Sequence, residues 1–438
     1  MKIVVRVPAR RADVEAWLRE PGRGEVVKDN RQRSVHLWNG LCIKRFKNPT
    51  VWQRIRCFLQ DRAWHELRLL ELLRGRGIEA PEPVAWARGE GSIYLFTGEI
   101  PAARPLAAVP MTRPLLRELA GFIRKIHDAG VRHDDLHAGN VLRADGKLYL
   151  VDVHQARFVG ELTRSERVES LGFSVLSLYT RVSRTDVLRF IREYGADPSE
   201  VLDAFRTARV RYWRDRQSRV RRTGSDFEVS GDLVLRRPFS AEAARKALEA
   251  APLRVVKDLP NRRLWLADPG TFVKEGAARL WYNGFGLETR GIPTPRLLAC
   301  RGDRVVGQWI EGAMPLWDHL KAHGVSRELL RRLARLVRLM HVRGVWHRDL
   351  KANNVLVRSD GLWVVDLDRV DFLREVPRSG RVRNLAQLNA AVGAPVTRAD
   401  RLRFFFAYAG WSRAMRAGWK KWVADVMEET RARRHVWP

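Results

Sequence analysis

The sequence predicts an α+β protein made of two tandem domains of one kind, residues 1–229 and 230–438, each with a small β-rich first lobe and a mostly helical second lobe. Three observations predict it. The chain has 438 residues, enough for two domains at roughly 100–200 residues each. The stretch His133-Asp134-Asp135-Leu136-His137-Ala138-Gly139-Asn140, with Asp152 beyond it, recurs as His347-Arg348-Asp349-Leu350-Lys351-Ala352-Asn353-Asn354 with Asp366 beyond it. Asp135 and Asp349, Asn140 and Asn354, and Asp152 and Asp366 all stand 214 positions apart. In each half, short apolar runs with strand character precede the motif and helix-period segments surround it.

The elements follow in order. Ile3 to Val7 reads as a strand ended by Pro8, and Ala12 to Leu18 has helical spacing through Val14, Trp17 and Leu18. Val26 to Asp29 opens a second strand. Arg33 to Leu37 and Leu41 to Phe46 flank Asn39-Gly40, a hairpin signal, and the latter strand carries Lys44. Val51 to Arg74 has a helical period with Glu66 inside it, and Gly77 to Pro83 breaks it. Ile93 to Phe96 is a strand leading to a hinge at Gly98-Glu99. Leu115 to Ala129 is an amphipathic helix with Leu116, Leu119, Ile123 and Ile126 on one face, closed by Gly130. The motif loop comes next, then strands Asn140 to Leu142 and Lys147 to Val151, the second delivering Asp152. Helices around Val168 to Tyr179 and Asp186 to Tyr194 and a basic stretch, Phe205 to Arg222, complete the half.

The second half repeats this. Leu233 to Pro238 resembles Val4 to Pro8, and Val255-Val256-Lys257-Asp258 repeats Val26-Val27-Lys28-Asp29. Lys274 matches Lys44, and Leu329 to Val345 matches Leu115 to Val131 without a gap. Lys274 to Ile292 spans 18 positions where Lys44 to Ile78 spans 34, so the second copy is shorter there. The boundary is expected near Ser230. The repeat is of domain scale and not a solenoid.

Composition narrows the function classes. Lys and Arg number 81 against 50 Asp and Glu, a formal charge of +31 that attracts polyanions. Cys42, Cys57 and Cys300 are few and scattered, which argues against a disulfide framework or a zinc site and suits a reducing compartment. No apolar run approaches the roughly 18 residues that span a bilayer, and the apolar piece before Arg6 is shorter than the one expected of a signal peptide. A cytoplasmic protein, peripheral on the inner membrane as a further option, is expected. Phe205 to Arg222 and Trp411 to Trp437 mix cations with aromatics. They read as terminal helices packed on each lobe, with an anionic membrane interface as the alternative. No nucleic-acid motif accompanies the charge, so nucleic acid is not expected as a partner.

An Asp, an Asn five positions on and a further Asp offer hard oxygen ligands of the kind magnesium takes while it holds phosphates. The first Asp is left to orient a hydroxyl and accept its proton, and a strand lysine can neutralise phosphate charge. These are the parts of a phosphoryl-transfer site. The motifs resemble the protein-kinase-like fold. The loop from His133 to Asn140 is similar to that of aminoglycoside and choline phosphotransferases. Val364 to Arg369, Gly291-Ile292-Pro293-Thr294-Pro295 and Asn384 to Asn389 resemble the lipopolysaccharide core kinases, which phosphorylate Kdo or heptose.

The resemblance implies ATP and Mg2+ as cofactors and an anionic glycolipid or sugar as acceptor. It implies Asp135 and Asp349 as catalytic bases. Asn140 with Asp152 and Asn354 with Asp366 would hold the metal, Lys44 and Lys274 the nucleotide phosphates, and Glu66 would pair with Lys44. His133 and His347 would pack the loops. Departures from the pattern matter. No glycine-rich loop stands at Asn30 to Leu37 or Leu259 to Leu266. Asp152-Val153-His154 and Asp366-Leu367-Asp368 replace Asp-Phe-Gly, and no Ala-Pro-Glu follows, which favours a small or glycan acceptor. Leu280 stands where Glu66 would, with Glu275 and Glu288 as weak substitutes. Two rivals remain open at this point: a protein Ser/Thr or aminoglycoside-type kinase, and a nucleotide-binding scaffold without transfer, the second domain above all.

Overall fold

The computed structural model describes residues 1–29, 33–47, 61–89, 91–393 and 395–433. The chain divides into two compact units, Met1–Arg209 and Val210–Pro438, and the division falls inside the helix Pro198–Ser218.

The first unit opens on a six-stranded antiparallel sheet in the order Lys2–Val5, Pro83–Gly89, Ser92–Gly98, Leu41–Lys47, Arg33–Trp38, Glu25–Asp29. Side chains alternate across a strand, so the sheet has two faces to bury. One face packs Leu41, Ile43, Val84 and Phe96 around Trp17 and Val14 of the helix Arg11–Arg19. The other packs Phe46, Trp86 and Leu95 against the helix Arg62–Gly75 and merges into the core of the helical lobe. Of the expected helix from Val51, the part up to Gln60 lies outside the described residues.

The helical lobe is built on Arg113–Asp128, Arg164–Leu178 and Arg184–Tyr194. Gly130 follows the first of these at φ +75°, and a Cβ there would sit 2.0 Å from the Gly160 carbonyl oxygen, so only glycine fits. Two small sheets frame the motif loop: Val131–His133 with Ala156–Phe158, and Val141–Ala144 with Lys147–Leu150 and Arg104–Pro105. Asn140 was expected on a strand. It closes a 3₁₀ turn, Ala138–Asn140, instead, because its N–H donates back to the His137 carbonyl at 2.9 Å.

The second unit repeats the plan. Its seven-stranded sheet runs Phe227–Ser230, Leu233–Arg236, Leu297–Arg301, Arg304–Gln308, Thr271–Glu275, Arg262–Asp268, Arg254–Leu259, one strand more than the first. Helix Ala241–Glu249 covers one face, and helix Leu280–Thr289 lies on the other. The helical lobe comprises Leu316–His323, Arg327–Val342, Arg378–Ala391, Arg398–Ala409, Arg413–Ala417 and Trp419–Arg431. Matching polar pairs sit in both cores: His127 with Tyr194 at 2.7 Å, and His341 with Tyr408 at 2.8 Å. Trp213 and Val220 of the first basic stretch are buried, whereas Trp411 of the second is exposed. Trp437 lies outside the described residues.

Candidate active sites in the two units

In the first unit strand parity places the lysine. Leu41 and Ile43 face the small core, so Lys44 projects on the same side as Phe46, toward the helix Arg62–Gly75. Lys44 Nζ lies 2.5 Å from Glu66 Oε1 and 3.5 Å from Asp152 Oδ1. Burial favours the neutral amine, but the two carboxylates outweigh it and raise the lysine pKa.

The loop is tied together by its own polar groups. His133 is buried, and its Nδ1 accepts the Asp135 N–H at 3.1 Å. Asn140 Nδ2 donates to the Asp135 carbonyl at 2.9 Å and lies 3.5 Å from its carboxylate. The Val151 N–H donates to the Asn140 carbonyl at 2.9 Å, which fixes Asn140 beside the strand end that carries Asp152. Asp135 is thus bonded to Asn140, Asn140 holds the backbone N–H next to Asp152, and Asp152 meets Lys44, which meets Glu66.

Asp152 has φ +58°, a left-handed backbone that costs a non-glycine residue about 1 kcal/mol or more. The turn brings position 154 back onto it: His154 Nδ1 is 2.7 Å from Asp152 Oδ1. Arg33 Nη1 reaches both carboxylate oxygens, at 3.0 and 3.2 Å. Burial alone would raise the Asp152 pKa. The His154 hydrogen bond and the Lys44 and Arg33 charges reverse this and hold it far below the carboxylate range.

The second unit builds the same frame. Val273 faces the helix Ala241–Glu249, so Phe272 and Lys274 take the other side of the strand. His347 Nδ1 accepts the Asp349 N–H at 3.2 Å, and its Nε2 donates to the Val365 carbonyl at 3.0 Å. Asn354 Nδ2 donates to the Asp349 carbonyl at 2.8 Å, and the Val365 N–H donates to the Asn354 carbonyl at 3.0 Å. Asp366 has φ +59°. Lys274 Nζ lies 3.0 Å from Asp366 Oδ1 and 2.7 Å from Asp368 Oδ2. Burial pushes the Asp366 pKa up, and the Lys274 charge more than cancels it, leaving the group below its ordinary value.

Leu280 is buried in the apolar core at the first position of its helix. Neither suggested substitute for Glu66 reaches Lys274. Glu275 binds Arg304 at 2.7 Å, and Glu288 binds Arg236. Sequence reasoning missed Asp368, His154 and Arg33. The first two stand two positions after an Asp in a tight turn, a spacing that returns the side chain to the same point. Arg33 depended on strand register.

Hard donors suit magnesium in both units. The Asn140 and Asn354 side-chain N–H groups are used on the loop, so their carboxamide oxygens are what they have to offer a cation, next to Asp152 and Asp366. Glu66, Asp152 and His154 also present ligand atoms within 4.8 Å of one another, and Glu66 Oε2 is buried with no hydrogen-bond partner among the described residues. A divalent cation held by Asp152 would share its oxygens with Arg33 and His154.

Known proteins resemble this chain in part. The 3-deoxy-D-manno-octulosonic acid kinase of Vibrio cholerae is 35% identical over 112 residues, 24% of this chain and 45% of that protein. The enzyme of the same name from Vibrio parahaemolyticus is 31% identical over 144 residues, 31% of this chain and 51% of that protein. The chain thus spans about half the length of the curated relatives it matches. Among solved structures, WaaP in complex with acyl carrier protein is 25% identical with a TM-score of 0.38, covering 46% of this chain and 98% of that one. The sequence model of the lipopolysaccharide kinase (Kdo/WaaP) family matches residues 9–194 and 274–408, the first segment holding Lys44 and the set Asp135, Asn140 and Asp152, the second Lys274 and the set Asp349, Asn354 and Asp366. With more than half of its length matched, the chain belongs to the lipopolysaccharide kinase (Kdo/WaaP) family.

Proposed function

We propose that the protein is an ATP-dependent kinase that phosphorylates a sugar hydroxyl of lipopolysaccharide core or a related anionic glycolipid, and that both units transfer. The observation that carries this reading is the same arrangement in each unit: the Asn side chain is bonded to the loop Asp, its carbonyl holds the backbone N–H just before the second Asp, and the strand lysine meets that Asp. Asp135 and Asp349 orient the acceptor hydroxyl and take its proton as its oxygen bonds to the γ-phosphorus of ATP and the bond from that phosphorus to the β–γ bridging oxygen breaks, releasing ADP. Lys44 and Lys274 lie against the phosphates. Mg2+, held by Asn140 and Asp152 or by Asn354 and Asp366, would neutralise charge on the transferring phosphoryl group. His133 and His347 set the loop through the backbone N–H they accept. Asp368 gives the second lysine its second carboxylate, and for that reason we treat the second unit as an enzyme. ATP is a cytoplasmic cosubstrate, so we take the acceptor to be met at the cytoplasmic face of the inner membrane.

The test is ATP consumption on inner-core glycolipid by the wild type, Asp135→Ala, Asp349→Ala and the double variant. We expect each single change to remove part of the turnover and the double change to lower it by about 10²–10⁴-fold. Undiminished turnover in the double variant ends the proposal. Label passing from ATP into protein and not into glycolipid would favour a protein kinase.

A further inference from the structure

We propose that the second unit carries a docking surface for an anionic bilayer, formed by an arginine row on the helix Arg327–Val342 and the turn at Trp411. Arg332, Arg335 and Arg338 line one open groove of about 600 Å³ together with Pro293 and Val342. Among the described residues none of the three has a carboxylate within ion-pair distance, although the Arg332 charge acts on Asp360. Arg332 donates to the Ser359 carbonyl, and Asp360, at the groove's edge, is held by Arg358 at 2.7 Å. At the end of the row the Arg338 guanidinium lies where a Cβ on Gly410 would fall. The next residue, Trp411, is 92% exposed.

From Gly410 to Ala424 the chain holds Arg413, Arg416, Lys420 and Lys421 and no carboxylate. All four cations are exposed, and Arg416 Nε holds the turn by donating to the Gly410 carbonyl at 2.7 Å. The groove and the turn thus make one cationic surface with a tryptophan at its rim. Such a surface sets cations against lipid phosphates and an indole at headgroup depth. Among the described residues no helix is long and apolar enough to cross a membrane, so the attachment is peripheral.

Among the described residues the first unit lacks most of this surface. The positions 214 residues before Arg332 and Arg335 are Glu118 and Gly121, and those before Trp411 and Arg413 are Asp197 and Ser199; Arg338 and Lys420 alone keep cationic counterparts, Arg124 and Arg206, and Arg124 is turned to the Tyr194 carbonyl at 2.8 Å. The alignment there is held by the matching His127–Tyr194 and His341–Tyr408 pairs. Burial of the aromatic core is common to both units; the exposed tryptophan and its cations belong to one.

The experiment is co-sedimentation of the full chain, without nucleotide or acceptor, with vesicles of pure phosphatidylglycerol or pure phosphatidylcholine. Its outcome is therefore independent of the transfer reaction. Variants are Arg335→Glu with Arg413→Glu, Trp411→Ser alone, and a control of equal charge change, Arg19→Glu with Arg206→Glu, each with a thermal melt matching the wild type. We expect binding to phosphatidylglycerol only. The paired surface variant should bind about ten-fold more weakly or worse, Trp411→Ser several-fold more weakly, and the control like the wild type. Equal loss in the control, no loss in the surface variants, or binding to both vesicles or to neither overturns the proposal. So does retention on an RNA homopolymer without binding to phosphatidylglycerol.

Discussion

The two units solve one electrostatic problem in different ways. Each buries a strand lysine that needs two carboxylates. In the first, Glu66 comes from a helix and Asp152 from the turn after the motif. In the second, both come from the turn, as Asp366 and Asp368. The exchange is complete: where the first unit has Glu66 and His154, the second has Leu280 and Asp368. The reason lies in length. The shorter connection after Lys274 begins the helix at Leu280, so the position that held a mid-helix carboxylate becomes a first-turn residue turned into the core. A missing helix glutamate therefore does not leave the lysine short of a carboxylate when a neighbouring turn supplies the charge.

The largest effect should come from forcing the first solution onto the second unit. Leu280→Glu places a carboxylate in an apolar site, and chemical denaturation should show a loss of about 3–5 kcal/mol. A stable Leu280→Glu chain that also restores an Asp368→Asn variant would break the comparison.

Acid should strike both units alike. Burial depresses His127, His133 and His341 to about 4 from an ordinary 6.5. As pH falls from 6.5 toward 4 the unfolded chain takes up protons that the native rings refuse. Stability is thus full above that window and falls within it, by up to about 3 kcal/mol for each ring. Melting temperatures that stay level down to pH 4 would contradict this.

Removing the second carboxylate tests whether the two solutions are equivalent. Glu66→Gln, measured in an Asp349→Ala background, and Asp368→Asn, measured in an Asp135→Ala background, should each lower kcat/KM by about 10–100-fold. A loss confined to Glu66→Gln would show that only the helix arrangement serves transfer.

The smallest difference concerns the loop histidines. His347 uses both ring nitrogens, whereas His133 Nε2 is buried with no partner among the described residues. Denaturant titration should find His347→Phe more costly than His133→Phe by about 1 kcal/mol.

Much of this was legible in the chain. The repeat was visible because three polar positions keep one spacing inside apolar frames. The Lys44 strand was visible because hairpin chemistry at Asn39-Gly40 announces it, and the Lys274 strand because it matches the first. Glu66 came with the family pattern. Arg33 was not visible, since its reach to Asp152 depends on sheet register, which no local signal encodes. Asp368 was printed in the motif but could not be assigned, because its role follows from the left-handed turn at Asp366.

By itself the sequence determined the doubling, the lobe order, the loop residues and the family, since these rest on spacing and polarity that survive without coordinates. Only tertiary structure decided which charges meet. Ion pairing falls off over a few ångströms. Residues about 90–120 positions apart, such as Lys274 and Asp366 or Arg33 and Asp152, become neighbours only when a sheet and a turn are folded together.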